Sequence, residues 1–261
     1  MEILVIRTLF IPNEDYLSVN INSIKNTRDY IKKQTGNYHL LLIGWSHKFN
    51  ANINPLLNLC EDTFMTSSVI HYDINYGKYR IMQDIMQYIY KKSYSYILYV
   101  DHDILFDTKI NITNLLILFD HSIDNQQLGL LLFNHTTDIR HQVDIYENQK
   151  CINDHELCWS TVKSSMACGA FITKKDFFET IKLSEPVAVY GLDDIFLIES
   201  YEKKNLKTVV LKNIYINHPH NNDEKYNKWK IEQIKQIICN NTSYIKSIQD
   251  AYSFWNGSCA N

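Results

Sequence analysis

The sequence predicts a single α/β domain in which a mainly parallel central sheet is flanked by helices. Strand-like and helical patterns alternate through roughly the first hundred residues, which is typical of a parallel sheet covered on both faces. The chain has 261 residues, enough to bury one substantial core. It contains only 7 Gly and 4 Pro, so we expect no long flexible linker.

The first half of the chain shows this alternation most clearly. Residues 3–9 form an apolar strand-like run, and residues 12–15 favour the start of a helix that we expect to end near Gly36. Residues 78–92 form the clearest helix, with one i, i+4 row at Ile81, Ile85 and Ile89 and a second at Met82 and Met86. Further β-branched or aromatic runs predict strands at 40–43, 68–72 and 96–100.

The second half is less regular. Strands are predicted at 128–133, 170–172 and 206–216, and helices at 111–119, 174–181 and 193–204. Residues 135–162 show no clear period, so we expect an ordered but irregular insertion there. Residues 226–248 predict one or two amphipathic helices near the C-terminus.

Composition and charge exclude several classes of protein. Hydrophobic residues make up 45% and charged residues 21%, as in an ordinary globular protein. The formal net charge of −3 offers no bulk attraction to nucleic acid. There is no signal-peptide pattern and no apolar window of about 18 residues, so we expect a cytoplasmic protein without a transmembrane segment. The abundance of Asn, Ile, Lys and Tyr fits an A+T-rich genome, for instance that of a large DNA virus or a parasite.

The six cysteines form no Cys-x-x-Cys pair, and we expect most of them to be free thiols. Cys151 and Cys158 could form a zinc site with His155, but their spacing matches known zinc sites poorly.

Asp101 and Asp103 follow directly after the predicted strand at 96–100. Within a strand they would point to opposite faces, but at a strand end the backbone can turn and bring both to one hard cation. Oxygen ligands suit Mg²⁺ or Mn²⁺, whose sites typically combine one or two carboxylates with substrate phosphates. The alternative is a pair of turn residues that cap the next segment. The carboxyl end of a parallel sheet favours the metal–diphosphate site.

A basic loop precedes the clearest helix. Gly77 lets backbone amides approach an anion at the helix N-terminus, and Lys78 and Arg80 add positive charge beside it. Asn75 opens the same loop. The alternative is a solvated helix start, because basic residues in the first turn oppose the helix dipole.

Three further segments are candidates for the site. Asp193 and Asp194 lie at the N-terminus of the predicted helix 193–204, where they could act as a general base or as an N-cap. His218 follows the last predicted strand and could bind a metal or phosphate or be structural, with His220 as its substitute. The small residues in the segment 166–171 allow a substrate close to the backbone, or a tightly packed strand entry.

The order of these motifs resembles that of glycosyltransferases of the A-type fold. The motifs are the loop at Asn75, the Asp101-x-Asp103 pair, Gly169-Ala170-Phe171, the Gly191-x-Asp193-Asp194 segment and His218. The closest resemblance is to the broad family 2 of nucleotide-sugar-dependent enzymes. It covers roughly residues 1–220 and depends on the order and spacing of short motifs. It implies a Rossmann-like catalytic domain at 1–220, with a nucleotide-binding half at 1–107, an acceptor half at 108–220, and a helical extension at 221–261 packed on the same domain.

The resemblance also implies a role for each motif. Asp103 would bind the metal, Asp101 would lie near the metal or the ribose, and His218 would be a further metal ligand. Asp194 would be the general base of an inverting enzyme, with Asp193 as the alternate. Asn75, Gly77 and Arg80 would line the nucleotide pocket, and Gly169 and Ala170 would border the acceptor or donor sugar. Lys78 joins the donor-binding residues because of its positive charge at the same helix start.

Two departures from the family pattern leave questions open. Family members commonly carry an acidic residue after the second strand, but residues 44–47 contain none, so the nucleotide base is undetermined. Trp45 could stack on the base instead. An Asp-Asp pair replaces the usual Glu-Asp, which leaves the choice between Asp193 and Asp194 open.

The expected activity is the transfer of a sugar from a UDP- or GDP-sugar to a hydroxyl of a glycan, glycoprotein or other acceptor. Mn²⁺ or Mg²⁺ would be the cofactor, and inversion is favoured over retention. One alternative is a haloacid dehalogenase-like phosphatase with Asp101 as nucleophile, although in those enzymes the acidic strand usually opens the chain. The other is a protein that binds a nucleotide-sugar without turnover.

Overall fold

The structure is a computed structural model. It describes residues 1–46, 53–107, 111–120, 122–123, 125–135, 148–152, 155–159, 168–183 and 193–218, and a few residues between 228 and 235. For residues 135, 148–152, 155–159, 212 and 213 only the backbone is described.

The first half of the central sheet is parallel. β1 (Glu2–Phe10) lies between β2 (Asn37–Trp45) and β4 (Tyr96–Val100), and β3 (Thr66–Tyr72) pairs with the other side of β2. The helices that follow β1, β2 and β3 are α1 (Glu14–Ile31), α2 (Asn54–Asn58) and α3 (Gly77–Ile89). The predicted alternation is therefore confirmed, and the four carboxyl strand ends lie along one edge.

The second half of the sheet is mixed. Its strands are β5 (Leu105–Phe106), β6 (Ser122–Ile123), β7 (Gln126–His135), β8 (Asn148–Ile152), β9 (His155–Trp159), β10 (Ala170–Lys174) and β11 (Leu206–Asn217). β10 pairs antiparallel with both β4 and β7, and β11 runs parallel to β7. Its helices are α4 (Ile112–Leu116), α5 (Lys175–Thr180) and α6 (Asp193–Glu202), with a 3₁₀ turn at Ile117–Asp120. The domain is thus α/β with a mixed sheet flanked by helices, as the fold-class prediction expects.

Both faces of the sheet are buried. Side chains alternate along β1, so that Ile3, Val5 and Leu9 enter one hydrophobic cluster, whereas Leu4 and Ile6 enter the other. The first cluster includes residues of α1 and α2, and the second includes residues of α3 and α6. This two-sided burial explains why β1, β2 and β4 are rich in apolar residues, whereas β3, at the edge of the sheet, is only partly buried and more polar.

Several local predictions can be compared with the structure. Asn13 caps α1 by accepting a hydrogen bond from the Tyr16 amide at 3.1 Å, which confirms the predicted helix start. The helix ends at Ile31, before Gly36. The prediction of an irregular insertion at 135–162 is wrong in part, because β8 and β9 form an antiparallel pair there.

Other predictions fall partly or wholly outside the described residues. The side chains proposed for the zinc site lie there, as does nearly all of the C-terminal extension at 221–261. Cys60 and Cys168 are buried free thiols, as expected. In the part of the chain that the structure describes, no helix combines the length and apolar character needed to cross a membrane.

Candidate functional site

The two carboxylates predicted from the sequence lie in a tight turn at the carboxyl end of β4. We call residues 101–104 the acidic turn. The Ile104 amide donates to the Asp101 carbonyl at 3.2 Å, which closes the turn. The Asp101 amide donates to the Gly169 carbonyl at 2.7 Å, just before β10 begins. The acidic turn therefore lies where the parallel and mixed halves of the sheet meet.

Both carboxylate oxygens of Asp101 have hydrogen-bond donors. Oδ1 accepts from the Tyr99 hydroxyl at 2.8 Å and from the Thr8 hydroxyl at 3.5 Å. Oδ2 accepts from the Lys78 ammonium at 3.3 Å. Tyr99 is held in place by a parallel stack on Phe171, with ring centroids 4.7 Å apart. Side chains of the protein therefore donate hydrogen bonds to both carboxylate oxygens of Asp101.

Lys78 links Asp101 to the second acidic pair. Its ammonium lies 2.9 Å from Asp194 Oδ1, 3.4 Å from the Cys168 carbonyl and 5.2 Å from the centroid of the Tyr99 ring. Burial alone would lower the pKa of Lys78, but Asp101 and Asp194 outweigh this effect and raise the pKa well above its ordinary value. Lys78 is therefore a permanent cation between two carboxylates.

The backbone before α3 directs Lys78 into the site. Gly77 has a φ of +83°, in the region that glycine adopts without strain. The Gly77 amide donates to the Asn75 side-chain oxygen at 2.8 Å, which fixes the bend before the helix. Asn75 and Gly77 thus shape the basic loop, and Lys78 follows as the second residue of α3.

Asp103 has a different environment. Its Oδ2 lies 3.2 Å from Nε2 of His218, directly after β11, and 3.9 Å from Nε2 of His102. Burial would raise the pKa of Asp103, but the two imidazoles and the His218 hydrogen bond hold it well below its usual range. Burial also lowers the pKa of His102, so that this ring is neutral at pH 7.

The Asp103–His218 pair fits a divalent cation. Carboxylate oxygen and neutral imidazole nitrogen are both common metal ligands. Adjacent ligands held about 2.1 Å from a metal are about 3.0 Å apart, close to the separation of these two atoms. Within the described ranges, no group of three or more His, Cys, Asp or Glu side chains forms a complete metal site. Two protein ligands would leave positions for phosphate oxygens or water.

The other candidate residues lie around the acidic turn and Lys78, or point away from them. Gly169 supplies the carbonyl that binds the acidic turn, and Ala170 begins β10. Asp193 and Lys78 both line a small pocket between α3 and α6. Arg80 pairs instead with Asp84 one turn along α3 at 2.9 Å, and its side chain is half exposed. The structure brings Lys78, but not the Arg80 guanidinium, to the Asp101–Asp194 cluster.

The end of β2 lies close to the same edge. A Cβ atom at Gly44 would lie 2.0 Å from the Leu9 carbonyl oxygen, so only glycine allows β1 and β2 to approach here. Trp45 packs edge-on against Phe10, with ring centroids 6.0 Å apart. Its indole N–H is buried and has no hydrogen-bond partner among the described residues.

Sequence reasoning missed several polar residues behind the acidic turn. Arg7 is buried in β1 beneath the turn, and Ser23 and Thr27 face it from α1. Arg7 could have been identified as a candidate because it is a charged residue within the apolar run of β1. Ser23 and Thr27 gave a weaker indication, since they are only two small polar residues four positions apart on a helix.

Comparisons with known proteins identify the fold. No protein-family model matches the sequence, and no curated protein does. Among solved structures, residues 1–349 of TarS from S. aureus, a glycosyltransferase, match with a TM-score of 0.57 and 12% sequence identity. The match covers 100% of this chain and 73% of the TarS chain. The likeness shows a glycosyltransferase A-type-like fold.

Proposed function

We propose that this protein is a metal-dependent glycosyltransferase that moves a sugar from a UDP- or GDP-sugar to an acceptor hydroxyl with inversion. The observation that supports this most is the contact of Lys78 with both Asp101 and Asp194, next to the Asp103–His218 pair. Five candidate acidic and basic groups, from four distant parts of the chain, meet where α/β sheets bind ligands. In a fold of the glycosyltransferase A type, this edge of the sheet is where a nucleotide-sugar is expected to bind.

Asp103 and His218 would hold the metal. Bound Mn²⁺ or Mg²⁺ would offset the negative charge that develops on the leaving nucleoside diphosphate. Asp101 would contribute by holding Lys78 and the turn, because both its oxygens already accept hydrogen bonds.

Lys78 would bind the donor diphosphate. It is positively charged, held by two carboxylates, and only 17% of its side chain is exposed to solvent. The charge on the diphosphate increases as the sugar leaves, so a fixed ammonium beside it stabilises the transition state more than the bound donor. Asn75 and Gly77 would shape the loop that presents this ammonium. Gly169 and Ala170 would border the sugar.

Asp194 would accept the proton of the acceptor hydroxyl, with Asp193 as the alternate base. The Lys78 ammonium lies against Asp194 Oδ1, so this oxygen must be released before it can accept a proton. We expect donor phosphates to attract Lys78 and so weaken its bond to Asp194. The base would then become effective only when a donor is present.

A second candidate is a protein that binds nucleotide-sugars without turnover. The same Lys78–Asp194 contact favours it, because a neutralised carboxylate is a poor base. The phosphatase alternative has less support, since its nucleophile Asp101 is hydrogen-bonded through both oxygens and the fold is of the glycosyltransferase A type.

The proposal can be tested by ligand binding and donor hydrolysis together. Thermal unfolding is measured with UDP-, GDP- and dTDP-sugars, with and without Mn²⁺, because a ligand of the native state raises its apparent stability. Release of nucleoside diphosphate is followed in the same samples. We expect a metal-dependent shift with one class of donor and slow hydrolysis of that donor.

Two matched variants identify the base. Asp194→Asn should reduce turnover by about 10²–10⁴-fold with little change in donor binding, whereas Asp193→Asn should have a much smaller effect. The reverse result would assign the base to Asp193. Binding without any release of diphosphate would favour the non-catalytic candidate, and no shift with any donor would reject both.

A further inference from the structure

Arg7 is a buried cation that the proposed reaction does not yet use. It lies in the middle of β1, and only 1% of its surface is exposed. No carboxylate lies within salt-bridge distance of its guanidinium in the described part of the chain. Burial lowers the pKa of Arg7 to about 9, so the group is still charged at pH 7. Burying an unpaired charge is costly, which indicates that its other contacts compensate.

Those contacts join the two sides of Asp103. One nitrogen of Arg7, Nη2, donates to the carbonyl of His102 at 3.1 Å and to the carbonyl of Ile104 at 2.7 Å. Asp103 is the residue between these carbonyls. A cation that binds the backbone on both sides of one residue limits the rotation of that residue, and hence the direction of its side chain.

Helix α1 supports the same arrangement from behind. Thr27 Oγ1 accepts from Arg7 Nη1 at 2.9 Å, and Ser23 donates its hydroxyl to the His102 carbonyl. Asn26 forms a two-way pair with the backbone of Phe106, at 2.7 and 3.1 Å. The acidic turn is therefore bound by polar groups on its protein side, while Asp103 faces His218.

We propose that Arg7 is a positioning residue that holds Asp103 in the direction required for metal and donor binding. The inference rests on the proposed glycosyltransferase function. Arg7 itself does not touch the metal or the donor. It acts through the carbonyls of His102 and Ile104, and its charge balances the negative charge that the acidic turn places at the edge of the sheet.

The test compares Arg7→Met, Arg7→Lys and Tyr201→Phe. Tyr201→Phe is the stability control, because it removes a buried hydrogen bond between α6 and β10, from Tyr201 to Thr173 at 2.7 Å, in which the acidic turn takes no part. Four quantities are measured on each protein: the apparent Kd for Mn²⁺ alone, the donor KM, kcat, and hydrogen exchange at the amides of residues 103–106. Unfolding curves establish the temperature at which all variants are folded.

We expect Arg7→Met to weaken Mn²⁺ binding and raise the donor KM by about 10–100-fold, as is typical when a group that orients a metal ligand is lost. Exchange at residues 103–106 should accelerate. Arg7→Lys should restore part of the loss, because an ammonium can donate to both carbonyls. Tyr201→Phe should lower stability while leaving the metal Kd and donor KM unchanged.

A folded Arg7→Met with wild-type metal Kd and donor KM would overturn the inference, as would an equal loss in Tyr201→Phe. If Arg7→Met does not fold, Ser23→Ala provides the test, with an expected loss of about 2–5-fold in the same quantities. No loss in Ser23→Ala would then reject the inference. A wild-type protein that binds neither Mn²⁺ nor donor rejects the proposed function itself, which is a different result.

Discussion

Asp101 and Asp103 are only two residues apart, yet the structure gives them opposite surroundings. Asp101 faces the first half of the domain and accepts from Tyr99, Thr8 and Lys78. Asp103 faces the end of β11 and lies next to two imidazoles. One carboxylate is bound mainly by hydroxyl and ammonium donors, and the other lies beside groups that can share a metal.

This difference indicates a division of roles that the short motif does not show. A carboxylate whose oxygens are already bound by a lysine and a tyrosine is poorly placed to bind a cation as well. A carboxylate beside an imidazole, itself a common metal ligand, retains that capacity. We therefore expect Asp101 to organise the site and Asp103 to bind the metal.

Within this comparison of the two carboxylates, the largest expected effect is that of Asp103→Asn. Loss of the charged ligand should remove the Mn²⁺-dependent thermal shift and reduce turnover by about 10³-fold, equivalent to several kcal/mol of charge stabilisation. The matched variant Asp101→Asn should retain a metal-dependent shift. If Asp101→Asn abolishes the shift and Asp103→Asn does not, the two roles are reversed.

Lys78→Met tests the Asp101 side of the comparison. It removes the cation between Asp101 and Asp194, and we expect kcat/KM for the donor to fall by about 10²-fold. Arg80→Met is the control on the same helix, because Arg80 pairs with Asp84 instead. Arg80→Met should lower kcat/KM for the donor by less than about 10-fold, as measured by steady-state kinetics. An equal loss in the two variants would indicate that Arg80 also binds the nucleotide.

His218→Gln tests the Asp103 side. It should weaken Mn²⁺ binding by at least about 10–100-fold while leaving the metal-free unfolding temperature nearly unchanged, since His218 is partly exposed. Metal titration measures the effect. His102→Gln is the comparison, because the His102 ring packs against Phe10 at 5.4 Å and lies farther from Asp103. A larger metal effect in His102→Gln would contradict the assignment.

The smallest expected effect is that of Tyr99→Phe. It removes one hydrogen bond to Asp101 and should cost about 1 kcal/mol of unfolding free energy, with donor kinetics changed only a few-fold. Urea unfolding provides the measurement, with Tyr96→Phe on the same strand as control. A loss of activity as large as that of Lys78→Met would show that Tyr99 has a direct part in the reaction.

The parallel half of the fold could be predicted because its strands are buried on both faces and its helices have one apolar face. The strand at 96–100 and the helix at 78–92 needed only local patterns. β8 and β9 could not be predicted in the same way, because the segment has no apolar alternation and its pairing partners include β11, about fifty residues later.

The candidate site was accessible to sequence reasoning where polar residues follow apolar strands, as at Asp103 and His218. Its internal contacts were not, because the sequence does not show which way a side chain points. Lys78 and Arg80 had equal standing as basic residues of one helix start, yet only Lys78 reaches Asp101. Arg7 was missed because the apolar residues around it dominate the pattern of β1.

The bonds that close the site also have a consequence for folding. They join residues 93, 115 and 116 positions apart, so no short segment of the chain can form them alone. Contacts between such distant residues form slowly, because a long loop must close before they contribute any energy. During synthesis, the pocket can therefore assemble only after β11 has emerged and docked. Recovery of donor binding during refolding should lag behind recovery of helical signal.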